Sequence, residues 1–129
     1  MYFTQLESAV SNWDAKIIED LYMSKPVDWT VGIPASKLIA VGTQVKGPFL
    51  LDGASARNIL YRMDGKNITS YIVYDDSGRA IKWVDLTGKA HANVPTPHAV
   101  EYKHNQNPAG DIFVQPEKTV RLARLDEIP

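Results

Sequence analysis

The sequence predicts an α+β fold in which N-terminal helices pack on a four- to five-stranded antiparallel sheet. Three observations lead there: a helical apolar stripe at the amino-terminal end, β-rich runs at near-regular spacing from Asn58 onward, and a glycine-bearing turn after each run. A length of 129 residues fits one domain with a single hydrophobic core. Within it the pattern divides into a helical part over 1–45, a sheet over 58–115 that carries the candidate site, and a tail over 116–129.

Thr4-Gln5-Leu6-Glu7 has the form of a capping box, with the hydroxyl and the carboxylate each reaching for an orphan amide. Behind it Leu6, Val10, Trp13, Ile17 and Leu21 recur at helical spacing, and the helix is expected to end before Pro26. Pro34 to Val41 reads as a second, short helix that opens on proline and stops at Gly42. Gly47-Pro48 and Asp52-Gly53 then bracket an extended Phe49-Leu50-Leu51.

The strand grammar begins with Ile59 to Met63 and the turn Asp64-Gly65. Ile68 to Tyr74 follows, closed by Asp75 to Gly78, and Ala80 to Val84 is closed by Thr87-Gly88. Pro97 to Lys103 makes a fourth strand with its prolines confined to the entry, and Ile112-Phe113-Val114 a short edge strand. The charged, proline-bounded tail reads as a loop or arm.

Composition narrows the function classes. Ordinary hydrophobic and charged fractions, 44% and 22%, exclude disordered and fibrous classes. With no cysteine there is neither a disulfide framework nor a thiolate metal site, and the chain suits a reducing compartment. No apolar run is long enough to span a bilayer, and the first residues lack a signal-peptide pattern. A net charge of -1 argues against a nucleic-acid binder that works by overall basicity, although a local basic patch remains open.

All three histidines fall between His91 and His104. Imidazoles are the groups best suited to proton chemistry near neutral pH, so this interval is the candidate site. Alternation along the strand puts Thr96, His98, Val100, Tyr102 and His104 on one face, with Glu101 and Lys103 on the other as a solvated charge pair. His91 lies in the preceding loop. Two proton-transfer groups and a cation suffice for metal-free ribonuclease chemistry, with Arg57, Arg62 and Lys82 as candidate cations. Tyr61, Tyr71, Tyr74 and Trp83 are candidates to stack unpaired bases. Taken singly, each of these residues also has a structural reading: a strand tyrosine is commonly core, and a strand lysine an outward residue. The histidine spacing matches no zinc motif, no phosphate-cradling loop is present, and no cofactor is expected.

The run Tyr71-Ile-Val-Tyr74-Asp75 through Lys82-Trp83-Val84-Asp85, Thr87-Gly88 and His91, continuing to Thr96-Pro97-His98-Ala99-Val100-Glu101-Tyr102, resembles the C-terminal toxin modules of bacterial polymorphic and contact-dependent growth inhibition systems. Asn107-Pro108, Gly110 and Ile112-Phe113-Val114, with Arg121 and Glu127-Ile128-Pro129, are similar to how such modules finish. The resemblance covers the second half of the chain. It implies a barnase/EndoU/colicin/RelE-type fold and an endoribonuclease, often cutting tRNA, delivered into a target-cell cytoplasm as part of a larger secreted protein. It also implies a cognate immunity protein that plugs the site and, in some systems, a host activating factor. The site it carries over comprises His91, Thr96, His98, Glu101 and Tyr102, with Arg62 and Lys82. Position 100 is valine where such modules carry a further histidine, which moves weight to His91.

The leading expectation is therefore a metal-independent endoribonuclease in which His98 and His91 exchange protons, Arg62 or Lys82 stabilises charge, and Thr96 positions the phosphate. The alternative is a non-enzymatic protein-binding domain, immunity-like or adaptor, that uses the exposed sheet. A metal-dependent DNase ranks third. His104 is expected at the surface.

Overall fold

A computed structural model describes residues 23–129. The helix expected behind Thr4 lies outside the described residues. The elements run β1 (Met23–Ser24), α1 (Ala35–Val41), β2 (Thr43–Gln44), β3 (Ile59–Asp64), β4 (Asn67–Tyr74), β5 (Ala80–Asp85), β6 (His98–Gln106), β7 (Ile112–Leu122) and a closing 3-10 turn (Leu125–Glu127). The strands form one seven-stranded sheet in the order β1-β6-β5-β4-β3-β2, with β7 on the other edge of β6.

This is α+β, but the balance differs from the expectation. The sheet is mixed, since β2 runs parallel to β3 while the other pairs are antiparallel. Among the described residues the only α-helix is α1, seven residues long, opening after Pro34 and ending at Gly42 as the sequence suggests. No helix among them is long and apolar enough to cross a membrane. The tail is not a loop: β7 continues through it to Leu122. Its register with β6 shifts between Tyr102 and His104, around Gln115-Pro116-Glu117, where the proline has no amide to offer the ladder.

The sheet is covered on both faces, which explains why β4 reads as a continuous apolar run with Tyr71, Ile72, Val73 and Tyr74 all buried. On the first face Tyr71, Val73, Val84, Ala99 and Ile59 pack under Ala35 and Leu38 of α1. On the second, Ile72, Tyr74, Ala80, Val100 and Tyr102 pack with Phe49. A register shift between Val73 and Tyr74 makes Ile81 an extra residue of β5, and it turns to the first face with its neighbour Lys82. At Gly78 (φ 78°) a side chain would collide with the backbone oxygen of Ala54, so only glycine lets the 51–54 segment lie against this turn.

Charge closes the first face. Lys82 is 1% exposed, and its ammonium meets Asp28 at 2.7 Å and Glu127 at 2.9 Å. Arg121 on β7 donates to both oxygens of Glu127 at 2.7 and 2.9 Å and to Glu101 at 2.9 Å. Lys25 takes the other oxygen of Glu101. The Arg124 amide adds a bond to Glu127 at 2.8 Å, and the buried Tyr71 hydroxyl donates to the Glu127 carbonyl at 2.7 Å. A buried ammonium is tolerated because carboxylates from two distant segments converge on it. Lys82 is thus an internal ion, and Glu101 belongs to this network rather than to a solvated pair with Lys103.

Burial alone would raise the Glu127 carboxyl, but the bonds from Arg121, the Arg124 amide and Lys82 outweigh it and hold its pKa at about 2, down from 4.5. A carboxyl lower in the folded than in the unfolded chain contributes stability above its unfolded pKa and loses it as pH falls through its folded one. Stability measured by urea unfolding should therefore be level above about pH 5 and fall between there and about pH 2. Glu127→Gln should flatten much of that slope, and Glu127→Ala should cost about 3–5 kcal/mol at neutral pH by leaving Lys82 short of a partner.

Candidate functional site

The second face carries the site. Cross-strand pairing sets Arg62 beside Ser70, Ser70 beside Asp85 and Asp85 beside His98, one row across four strands. Asp85 and His98 are the facing ends of β5 and β6, so the 86–97 connection must turn back over them. It does so through a tight turn at Ala92 and Asn93, both at positive φ (49° and 64°), with reciprocal bonds His91 N–H to Val94 at 3.0 Å and Val94 N–H to His91 at 2.8 Å. Paired left-handed residues define a type I′ turn, which strains the non-glycine Ala92 but matches strand twist.

The His98 ring holds this turn to the sheet. It is 1% exposed, with Nδ1 3.1 Å from the Val94 carbonyl and Nε2 3.0 Å from Asp85 Oδ2. Both partners are oxygen acceptors, so whichever ring nitrogen carries a proton has an oxygen to donate it to. The second oxygen of Asp85 accepts the Trp83 indole N–H at 2.9 Å. The His91 ring stands 6.0 Å from that of His98, edge-on.

Trp83, Asp85, His91, Val100, Tyr102 and Lys118 line a cleft of about 210 Å³. A larger hollow, about 380 Å³, lies between Lys66, Leu86, Pro97 and Ile128, but it gathers no pair of proton-transfer groups. The smaller cleft holds the chemistry: a half-buried imidazole, a partly exposed carboxylate and an ammonium around an indole wall. Burial pushes the Tyr102 hydroxyl up to about 12, so near neutrality it stays protonated and available as a donor. Arg62 approaches from β3, its guanidinium over the rings of Phe49 at 4.5 Å and Trp83 at 5.4 Å, its Nε donating to Ser70 at 3.2 Å.

Of the residues singled out in the sequence, the structure brings His91, His98 and Tyr102 together at this cleft, while Arg62 lies beyond Trp83, outside its lining. Lys82 and Glu101 are on the opposite face. Thr96 is outside the cleft, its hydroxyl donating to the Gly88 carbonyl at 3.3 Å. His104 is buried rather than at the surface, with Nε2 2.9 Å from the Ala80 carbonyl. Tyr71 and Tyr74 are wholly buried and give their hydroxyls to the Glu127 and Leu50 carbonyls, which removes them as stacking platforms; Trp83 keeps that place. Arg57 pairs with Asp76 at 2.9 Å, away from the cleft. Lys118 is the candidate that sequence reasoning passed over, and Asp85 entered it only as a carboxylate that, like Glu101, could complete a histidine metal site. Pairing of the β5 and β6 ends pointed to Asp85, whereas Lys118 was hidden by reading the tail as a loop. Among the described residues no three His, Asp or Glu side chains converge to hold a metal ion.

This cleft, on a twisted sheet with a loop-borne histidine at its mouth, sits within the segment that comparison assigns to a class of bacterial toxins. The family model described as bacterial toxin 24 matches residues 45–129, and the chain belongs to that family. No curated protein and no solved structure matches the chain.

If His98 anchors the turn, its loss reaches folding as well as function. His98→Ala should lower the stability read from the urea midpoint by about 1–3 kcal/mol, because it strips Asp85 and the Val94 carbonyl of their shared partner. An unchanged midpoint would show that the ring holds nothing.

Proposed function

We propose that this bacterial toxin is a metal-independent endoribonuclease acting at the Asp85–His91–Lys118 cleft, with tRNA as its substrate. The observation that supports the reading best is that one cleft holds a half-buried imidazole, His91, and a carboxylate, Asp85, that is hydrogen-bonded to the buried His98 ring. His91 takes the proton of a ribose 2′-hydroxyl, and the 2′-oxygen attacks the adjacent phosphorus. The bond from phosphorus to the 5′-oxygen breaks. In this scheme a proton on His98 Nε2 passes through Asp85 to that leaving oxygen, giving a 2′,3′-cyclic phosphate and a free 5′-hydroxyl. The Lys118 ammonium and the Tyr102 hydroxyl face the charge that grows on the phosphoryl oxygens. In this scheme His98 is a positioning and proton-holding residue, buried too deeply to touch substrate. The reading extends to delivery as part of a larger secreted protein and to a cognate immunity protein that occludes the cleft in the producing cell, with a host activating factor where the toxin alone is inert.

The test is direct. The purified chain, incubated with total RNA in chelator, should cut tRNA to 2′,3′-cyclic phosphate ends, and His91→Ala should slow this by about 10²–10⁴-fold while folding normally. A His91→Ala chain that still cuts at the wild-type rate overturns the assignment. Intact RNA together with survival of cells expressing the chain alone would favour the protein-binding alternative, and cleavage of DNA that chelator stops would favour the DNase.

A further inference from the structure

Beside the cleft, across the Trp83 ring, Gln44, Val45, Lys46, Arg62, Met63 and Thr69 enclose a second hollow of about 360 Å³. Trp83 links the two, since it lines the cleft and carries on its ring the guanidinium of Arg62, which lines the hollow. Arg62 is held in place without being used up. Two aromatic rings fix it, and Ser70 takes only its Nε. Among the described residues no carboxylate lies within ion-pair distance of Arg62, Lys46 or Lys118, whereas Lys25, Lys82, Arg121 and Arg124 are all paired on the opposite face. The terminal nitrogens of Arg62 are thus a planar fork with no acid to answer it, the geometry that matches a phosphate. Lys46 is brought to the same hollow by the Val45 amide, which bonds the Tyr61 carbonyl at 2.8 Å.

From these features we infer that the Arg62–Lys46 hollow is a second anion subsite, which binds a phosphate several nucleotides from the scissile one in a single-stranded nucleic acid. The inference rests on the ribonuclease reading of the cleft and adds to it a substrate class: a strand long enough to place one phosphate at Lys118 and another at Arg62. Lys118 on β7 and Arg62 on β3 are four strand spacings apart, about 19 Å between backbones, which suits phosphates several nucleotides apart on an extended strand and not a compact mononucleotide. Trp83, between the two anion positions, is placed for an intervening base to stack on it. The arrangement also explains how a chain of net charge -1 can address a polyanion: among the described residues Asp28, Glu101 and Glu127 are engaged on one face, while Arg62, Lys46 and Lys118 have no carboxylate partner on the other.

The probe is an eight-nucleotide 2′-O-methyl RNA, whose blocked hydroxyl cannot attack, titrated against tryptophan fluorescence. Wild-type chain should bind it with a salt dependence that Arg62→Ala weakens, lowering affinity about tenfold or more. The slope of log K against log salt should become shallower by about 0.7. Arg62→Lys, which keeps the charge but loses the fork, should restore the slope and only part of the affinity. On cleavable RNA, Arg62→Ala should raise KM and leave kcat near wild type. Unchanged affinity and slope in Arg62→Ala would overturn the subsite. His91→Ala separates the two readings, because it should abolish cleavage and keep Arg62-dependent binding. Arg62-dependent binding by a wild-type chain that cuts no RNA would overturn the catalytic reading and keep the subsite. No binding of the octanucleotide at low salt would overturn both.

Discussion

Everything on the sheet is arranged around one buried ammonium. Lys82 sits at the middle of β5, where water cannot reach it, and such a position is tenable only while Asp28 and Glu127 both face it. Those partners come from the segment before α1 and from the closing turn after β7, so meeting this single need brings both ends of the described chain onto one face. Arg121 then shares Glu127 with Lys82 and passes the constraint on to Glu101. The network is not an efficient way to gain stability, since apolar side chains of equal volume often do as well. What it contributes is specificity of closure: few other packings of this chain could satisfy all of its members.

The same network leaves the second face to the site. Because the carboxylates of Glu101, Glu127 and Asp28 are engaged with cations behind the sheet, the cleft is left with a single carboxylate, Asp85, and that one is held from both sides. His98 links the two halves of the arrangement. Its buried ring joins the end of β5 to the turn that bears His91, so the accessible imidazole stands on a support already fixed before any ligand arrives. A loop residue held this firmly avoids much of the ordering cost that a free loop would incur on binding.

What the sequence made legible was local. Turn chemistry at Asp64-Gly65, Asp75 to Gly78 and Thr87-Gly88 located β3, β4 and β5 to within a residue or two, and Pro34 with Gly42 bracketed α1. What it hid was long-range. The alternation that grouped His98, Val100, Tyr102 and His104 was sound, yet it could not say that His104 would lie buried, its ring bonded to the Ala80 carbonyl. Lys82 read as an outward lysine because its partners are 54 and 45 residues away along the chain. β7 was lost because Pro116 and the register shift around it interrupt the pattern, and Lys118 was lost with it. Asp85 needed the pairing of β5 with β6 before it could be matched to His98. Half of the candidate site was therefore visible as a histidine cluster, and the other half existed only once the strands were laid side by side.

The position of Glu127 gives the fold a timetable. A chain that emerges amino-terminal end first presents Lys82 long before the carboxylate that will meet it, and the loop-closure cost of joining them falls due at the end. Until the closing turn docks, Lys82 has Asp28 alone to answer its charge on what must become a buried face. Closure of the first face is thus tied to this late event. Run in reverse, pulling on the closing turn would unlatch the charge network at its costliest point first, baring Lys82 before the rest of the sheet comes apart.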